Sequence, residues 1–429
     1  RAFPGWSETP PVVRARAMFT FRGLLETHLE ELARIVTTEH GKTLEESRGS
    51  VRRAIECVEV ACGAPSMLMG DALENVAANI DCTSVRQPIG VCAAIAPFNF
   101  PAMVPLWFLP FAVACGNTFV LKPSEQVPLS QQRMFELLEK CDLPPGVVNL
   151  VNGGREVAEA ICDHPGIRAV SFVGSTAVAR TVYQRATHAG KRVQALGGAK
   201  NFIIVMPDAD LDRAIPIISE SFYGCAGERC LAGSILVPVG PVHAEARDRL
   251  VEFARGMTVG NGIEAGVDMG PVISAVHQQR VLGYVERGAA EGAVLALDGR
   301  QRSLPKEGFF VGPSVFDSVT PAMTIGRDEI FGPVAAICPV ATLDDVFGLM
   351  ELHPNANATS IFTSSGKAAR AFAHRATASM VGVNIGVAAP MAYFPFGGAR
   401  DSFFGDLKVH GRDAFEFYTD KKVTISRWF

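Results

Sequence analysis

The sequence predicts an α/β protein built from two units, each a largely parallel sheet covered by helices. Three observations carry that expectation. From Gly90 onward short apolar runs alternate with helical stretches, the rhythm of a parallel sheet with helices on its faces. The same rhythm resumes after Cys230. At 429 residues the chain also exceeds what one hydrophobic core usually holds.

Taken in order, "MFTFRGLLETHLEELARIV" carries Leu24, Leu25, Leu29, Leu32 and Ile35 at helical spacing and predicts one amphipathic helix. "NTFVL" is a strand ending at Lys122, "PLSQQRMFELLEKC" a helix, and "GVVNLV" a strand. "REVAEAICDH" is helical, and "IRAVSFV" is a strand that ends at Gly174. "KRVQALGG" and "AKNFIIVMPDADLDRAI" supply the next strands, with Asp208 or Asp210 placed to cap the helix that follows. Beyond Cys230 come strand "SILVPV", helices "AEARDRLVEFARGM" and "HQQRVLGYVERGAAEG", and strand "VLALDG". Strand "AAICPV", helix "LDDVFGLMELH" and strand "ATSIFTSS" complete the second unit.

Composition narrows the function. A net charge of −4 with scattered Lys and Arg leaves no basic footprint for nucleic acid or an anionic membrane. The apolar stretch Ile89 to Leu121 is interrupted by Pro97, Pro101, Pro105 and Pro110 and does not read as a membrane span. Ten cysteines in this length, with no CxxC pair and no zinc-like His/Cys spacing, are expected to be free thiols in a reducing compartment, a bacterial cytoplasm or a mitochondrial matrix. No metal site is expected. The abrupt start "RAFPGW" suggests that an upstream segment is missing.

Several stretches could carry chemistry. In "SFVGSTAVARTV" a strand breaks at Gly174, and Ser175 stands where a helix begins; free amides there can hold a phosphate, though ordinary N-capping gives the same text. In "LKPSE", Lys122 and Glu125 follow a strand and could grip ribose hydroxyls, or form a plain surface pair. "YGCAGERCLAGS" holds two cysteines. Cys230, beside Arg229 and between Gly227 and Gly233, is better placed for an open thiolate than Cys225.

Together "APFNFP", "LKPSE", "FVGST", "LGGAKN", "GERC", "EIFGPV" and "FPFGG" resemble the aldehyde dehydrogenase superfamily from about Arg14 to the C-terminus. "RQPIGVCAAIAPFNFPAMVP", "GAPSMLMGD" and "SFFGDLKVHGRDAFEFYTDKKV" look like its CoA-acylating branch, the methylmalonate-semialdehyde dehydrogenases. The resemblance implies a Rossmann-type NAD-binding domain (1–76 and 91–197), an α/β catalytic domain (198–404) and a small β oligomerisation arm (77–90 and 413–429). It implies that Cys230 is the nucleophile, with Asn99 and the Cys230 backbone N–H as oxyanion donors. Lys122 and Glu125 match adenosine-ribose contacts, Gly174 and Ser175 the pyrophosphate turn, Glu329 the nicotinamide-ribose contact, and Phe98 a cofactor-side wall. Glu125 would repel a 2′-phosphate and so favours NAD over NADP. Ala179 stands where many relatives carry Gly.

Relatives that hydrolyse their thioester have Glu where this chain has Ala195, so the resemblance implies transfer to coenzyme A. Arg53 and Arg229 match arginines that hold a substrate carboxylate. The implied substrates are small aldehydes, malonate and methylmalonate semialdehyde, giving acetyl-CoA or propionyl-CoA and CO₂. A hydrolytic dehydrogenase and a non-catalytic structural relative are the alternatives, and a homodimer or homotetramer is expected.

Overall fold

The computed structural model describes residues 1–429. Helices open the chain: Pro11–Thr27, Leu29–His40 and Leu44–Cys62. The amphipathic stretch expected as one helix is two, broken at His28 (φ −100°, ψ 15°). The second ends on Gly41 in the left-handed conformation (φ 98°), the usual way to stop a helix without a Cβ penalty. Thr43 and Glu46 then form a capping box that starts Leu44–Cys62.

The first sheet has six strands, in the spatial order Phe403–Phe404, Arg192–Leu196, Ile167–Val173, Val91–Ile95, Thr118–Lys122, Val148–Leu150. All neighbours run parallel except the edge strand Phe403–Phe404, which is antiparallel. The strand made first, Val91–Ile95, lies inside, and the order runs outward from it in both directions. Its boundary with Ile167–Val173 is therefore a topological switch point, where open α/β sheets bind ligands at the strands' carboxyl ends. Residues 96–99 and Gly174–Ser175 leave the sheet there.

The second sheet has seven strands: Val294–Leu297, antiparallel to Ser314–Asp317, followed by Val334–Ile337, Gly233–Pro238, Asn201–Val205, Ala358–Phe362 and Met380–Val383, all parallel. Asp210 caps helix Leu211–Tyr223 by accepting from the Arg213 N–H, whereas Asp208 accepts from the Thr363 hydroxyl at 2.8 Å. A third, antiparallel sheet joins Ala72–Ala77, Ile80–Pro88 and Thr419–Arg427.

Two segments lie apart from their expected places. Phe403–Phe404 closes the edge of the first sheet instead of ending the second unit. Ala72–Ala77 belongs to the arm sheet, although it precedes the segment expected to form it. A two-residue strand has no period to read, and "ALENVA" is solvent-exposed throughout, so neither gives a hydrophobic signal. Helix Gly411–Phe417 sends Phe415 and Phe417 into the main core, which lies between the N-terminal helices and the first sheet. No helix is long and apolar enough to cross a membrane.

Candidate active site

Helix Leu211–Tyr223 ends at Gly224, and the chain then takes three left-handed residues in succession: Cys225 (φ 51°), Ala226 (φ 52°) and Gly227 (φ 76°). For the two that carry a Cβ this costs roughly 1–2 kcal/mol each, so surrounding contacts must hold the loop. Glu46 is the largest of them. One carboxylate oxygen accepts from the Cys225 N–H (2.6 Å) and from Arg229 Nη2 (3.0 Å), while the other accepts from the Thr43 N–H (2.9 Å). Gly227 is pressed against the turn after Glu329: a Cβ there would lie 2.2 Å from the Gly332 carbonyl oxygen. Asn201 and Asn357 donate their side-chain amides to the Cys230 carbonyl at 3.0 and 2.9 Å. The backbone at Cys230 is thus pinned from the starts of two strands of the second sheet.

The two cysteines part ways here. Cys225 is 1 % exposed, and its sulfur accepts from Arg229 Nε at 3.3 Å. Cys230 is partly exposed and lines a small cavity of ≈ 70 Å³. Burial, and secondarily the charge of Glu329, push its thiol up to about 12, while the backbone N–H groups of Cys230 and Leu231 pull the other way. The cavity walls are apolar at Phe100, Met103, Trp107, Leu231 and Phe396, and polar at Arg53, Glu56 and His410. Arg53 donates to Glu56 (2.6 Å) and to the Pro390 carbonyl. Arg229 binds Glu46, and its Nη1 makes only longer approaches to Glu220, 3.5 Å to the carbonyl and 3.8 Å to the carboxylate. Both arginines reach the cavity, and each is already paired with a carboxylate of the chain.

Asn99 leaves the end of Val91–Ile95, is buried, and donates from Nδ2 to the Glu228 carbonyl at 2.9 Å. A primary amide has two such hydrogens, so one remains for a ligand. Glu329 accepts from the Ala199 N–H at 3.1 Å, and burial pushes its carboxyl up to about 7. Gly198 makes room for it, since a Cβ there would lie 2.3 Å from Glu329 Oε2. Lys200 fixes the preceding turn by donating to the Ile325 and Asp328 carbonyls, both at 2.7 Å. Phe98 stands between His40, with ring centres 6.2 Å apart, and Phe331 at 5.9 Å. Cys230, Asn99, Glu329 and Phe98 therefore come from three loops that touch one another.

Lys122, Glu125, Gly174 and Ser175 lie along the carboxyl edge of the first sheet. Lys122 Nζ donates to Glu125 at 3.0 Å and to the Pro123 carbonyl at 2.9 Å. Ser175 is the N-cap residue of Thr176–His188, yet its side chain makes no capping bond. The helix's first amides are left to a ligand, as an anion site requires. Gly174 is not left-handed; a Cβ there would strike the Phe172 ring at 2.6 Å, so packing excludes a side chain. Ala179 is fully buried against the sheet.

The expectation for Ala195 needs correcting. Strand alternation turns Ala195 and Val193 toward helices Arg155–Asp163 and Thr176–His188, where they pack with Ile95, Phe172 and Ala179. Cys230 packs on the core of the opposite face, and Ala195 does not line its cavity. In this conformation a carboxylate at 195 would be buried among apolar groups, away from the sulfur.

Sequence reasoning missed Glu46 and Asn357. "TLEE" announces the capping box, but nothing local shows that the same carboxylate reaches a loop 179 residues on. The arrangement brings the loops that carry the Cys230 thiol, the Asn99 amide and the Glu329 carboxyl to one end of the two sheets. The switch-point crevice, the uncapped helix start, the Lys122–Glu125 pair and the cradle at Gly198 fit a dinucleotide.

A family model described as "Aldehyde dehydrogenase family" matches residues 1–424. Malonate-semialdehyde dehydrogenase 1 of Geobacillus thermodenitrificans (strain NG80-2) is 50% identical over 428 residues, covering 100% of this chain and 88% of the relative. A solved methylmalonate-semialdehyde dehydrogenase of Oceanimonas doudoroffii is 47% identical with a TM-score of 0.98, over 100% of this chain and 88% of that one. A Sinorhizobium meliloti 1021 structure, described as a methylmalonate-semialdehyde dehydrogenase complexed with NAD, is 43% identical with the same TM-score of 0.98, over 100% and 88% of the two chains.

Proposed function

The chain belongs to the aldehyde dehydrogenase family, and we propose that it oxidises malonate and methylmalonate semialdehydes with NAD and passes the acyl group to coenzyme A. The observation that carries this reading is Cys230 at the wall of an apolar cavity that Arg53 and Arg229 also line, in a chain half identical to a malonate-semialdehyde dehydrogenase. Lys122 and Glu125 would hold the adenosine ribose, Gly174, Ser175 and the helix start the pyrophosphate, and Phe98 and Glu329 the nicotinamide end. When bound, NAD supplies the hydride acceptor.

The residues of the chain do the rest. Cys230 gives up its proton to water, and its sulfur bonds to the aldehyde carbon. The aldehyde oxygen becomes an oxyanion that accepts from Asn99 Nδ2 and the Cys230 N–H, donors worth a few kcal/mol when fixed in advance. The carbonyl re-forms as hydride leaves the carbon, giving a thioester on Cys230. Arg53 and Arg229 hold the substrate's carboxylate. The thiol of coenzyme A attacks the thioester and releases Cys230, and loss of CO₂ from the malonyl or methylmalonyl group yields acetyl-CoA or propionyl-CoA. The reading includes assembly through the arm sheet as a homodimer or homotetramer, and a bacterial cytoplasmic location suited to ten free cysteines.

Hydrolysis is the second reading, favoured by one observation: the Glu329 carboxyl, held by the Ala199 N–H, is near enough for its charge to raise the Cys230 thiol, and with burial pushing it up to about 7 it could take a proton from water. NADH formation from malonate semialdehyde with and without coenzyme A separates the two. The expected result is a single burst without coenzyme A and steady turnover with it, both lost in Cys230→Ser. Free acid released at full speed without coenzyme A would overturn the acyl-transfer reading.

A further inference from the structure

Lys42 is one of the most deeply buried residues of the molecule. It is 1 % exposed, and no carboxylate lies within ion-pair distance of its ammonium. Nζ instead donates to the backbone carbonyl of Asn99 at 2.6 Å and sits 3.8 Å from the centre of the Phe100 ring. An ammonium taken out of water is expensive unless it is paired, and Glu228, whose carboxyl the Lys42 charge pulls down, lies beyond ion-pair distance. A carbonyl and an aromatic face offset only part of that cost. A residue chosen for packing alone would be apolar.

Both contacts fall on the segment that carries the proposed oxyanion donor. The other side of that segment is fixed in the same manner. Asn99 Nδ2 donates to the carbonyl of Glu228, whose side chain is 0 % exposed and accepts from the Ile273 N–H at 3.1 Å. Asn99 is thus gripped at its backbone by the buried Lys42 and at its amide by the backbone of the buried Glu228. The Glu228 carboxyl lies 3.4 Å from His277 Nε2 and 3.7 Å from His40 Nε2, and Glu228 Oε2 and His40 Nε2 have no hydrogen-bond partner. Burial pushes that carboxyl up to about 8. Nothing in the proposed chemistry uses these groups directly.

We propose that Lys42 is a positioning residue for catalysis: its bond to the Asn99 carbonyl fixes the rotation of the 97–100 loop and thereby aims the free Nδ2 hydrogen at the aldehyde oxygen. The proposal rests on the reading of Asn99 as the oxyanion donor. It assigns Lys42 no contact with substrate or cofactor.

The test is a double-mutant cycle on the full chain, with kcat, KM and the rate of Cys230 alkylation by iodoacetamide measured for each variant. Lys42→Met keeps the stem and removes the ammonium. Its kcat is expected to fall roughly 10- to 100-fold, the scale of a group displaced by about an ångström. KM for the aldehyde and the alkylation rate should stay within about twofold. In an Asn99→Ala background Lys42→Met should cost nothing further, since residues acting through one group are not additive. Lys42→Arg keeps the charge with a different reach; if the Met variant does not fold, it takes its place in the cycle, with a smaller loss of kcat and the same non-additivity. Additive losses, or alkylation slowed as much as turnover, would overturn the role of Lys42 while leaving Asn99 as the donor. An Asn99→Ala enzyme with unchanged kcat would overturn the oxyanion reading itself.

Discussion

At the scale of the residue, the two arginines of the cavity are set apart by their partners. Arg53 is held by Glu56 and Pro390 at the rim, and Arg229 by Glu46, Cys225 and Glu220 beside the nucleophile. Arg53→Leu should therefore raise KM for malonate semialdehyde by roughly 10- to 150-fold, the worth of one charged hydrogen bond, and leave propanal nearly unaffected. Arg229→Leu should also lower kcat for both aldehydes, because it frees the left-handed loop that Glu46 clamps. Steady-state constants for the two substrates check both statements. Equal losses with both aldehydes for Arg53→Leu would mean that Arg53 holds structure only. Cys230, Asn99 and Glu329 were legible as candidates in short motifs. Their restraints were not, because Glu46, Asn201 and Asn357 act through backbone groups far away in the chain, and a backbone amide leaves no letter in the sequence.

At the scale of the element, alternation along Arg192–Leu196 decides a question that the motif alone left open. "ALGG" reads as a missing base, but the Ala195 side chain belongs to the packed face under helix Thr176–His188. Ala195→Glu is thus expected to destabilise the chain before it hydrolyses anything. Burying a carboxylate in an apolar cluster raises its pKa and costs a few kcal/mol. The measurement is thermal unfolding against pH. The folded-state pKa is raised above the unfolded value, so the folded variant keeps a proton that the unfolded chain loses. Its deficit relative to wild type should grow as pH rises through the carboxylate range and beyond. A variant as stable as wild type at alkaline pH, with faster release of free acid, would show that the side chain turns to the other face. Long periodic helices and apolar strands were readable for the same reason that Ala195 was misplaced. Period identifies an element and its two faces, but which face meets the site depends on the sheet next door.

At the scale of the whole molecule, Thr419–Arg427 is a free edge strand, exposing Val423 and Ile425 beside the exposed Leu73, Val76 and Val85 of the same sheet. Apolar edges of this kind invite pairing with another chain. Light scattering on the intact protein should give the mass of a dimer or tetramer, and the double variant Val423→Asp with Ile425→Asp should shift it toward the monomer. A wild-type monomer would sink the proposed assembly. The chain's last segments reach further than this arm. Phe403–Phe404 zips onto Arg192–Leu196, the Tyr418 hydroxyl lies 2.9 Å from that of Ser171, and Arg192 donates to the carbonyls of Phe417 and Thr419 at 2.7 and 2.8 Å. The second unit is in effect an insertion into the first. In a gene for this chain, a premature stop shortly before the codon for Arg400 would spare nearly every strand of the unit just translated. It would instead unmake the one whose sequence had been completed some two hundred codons earlier.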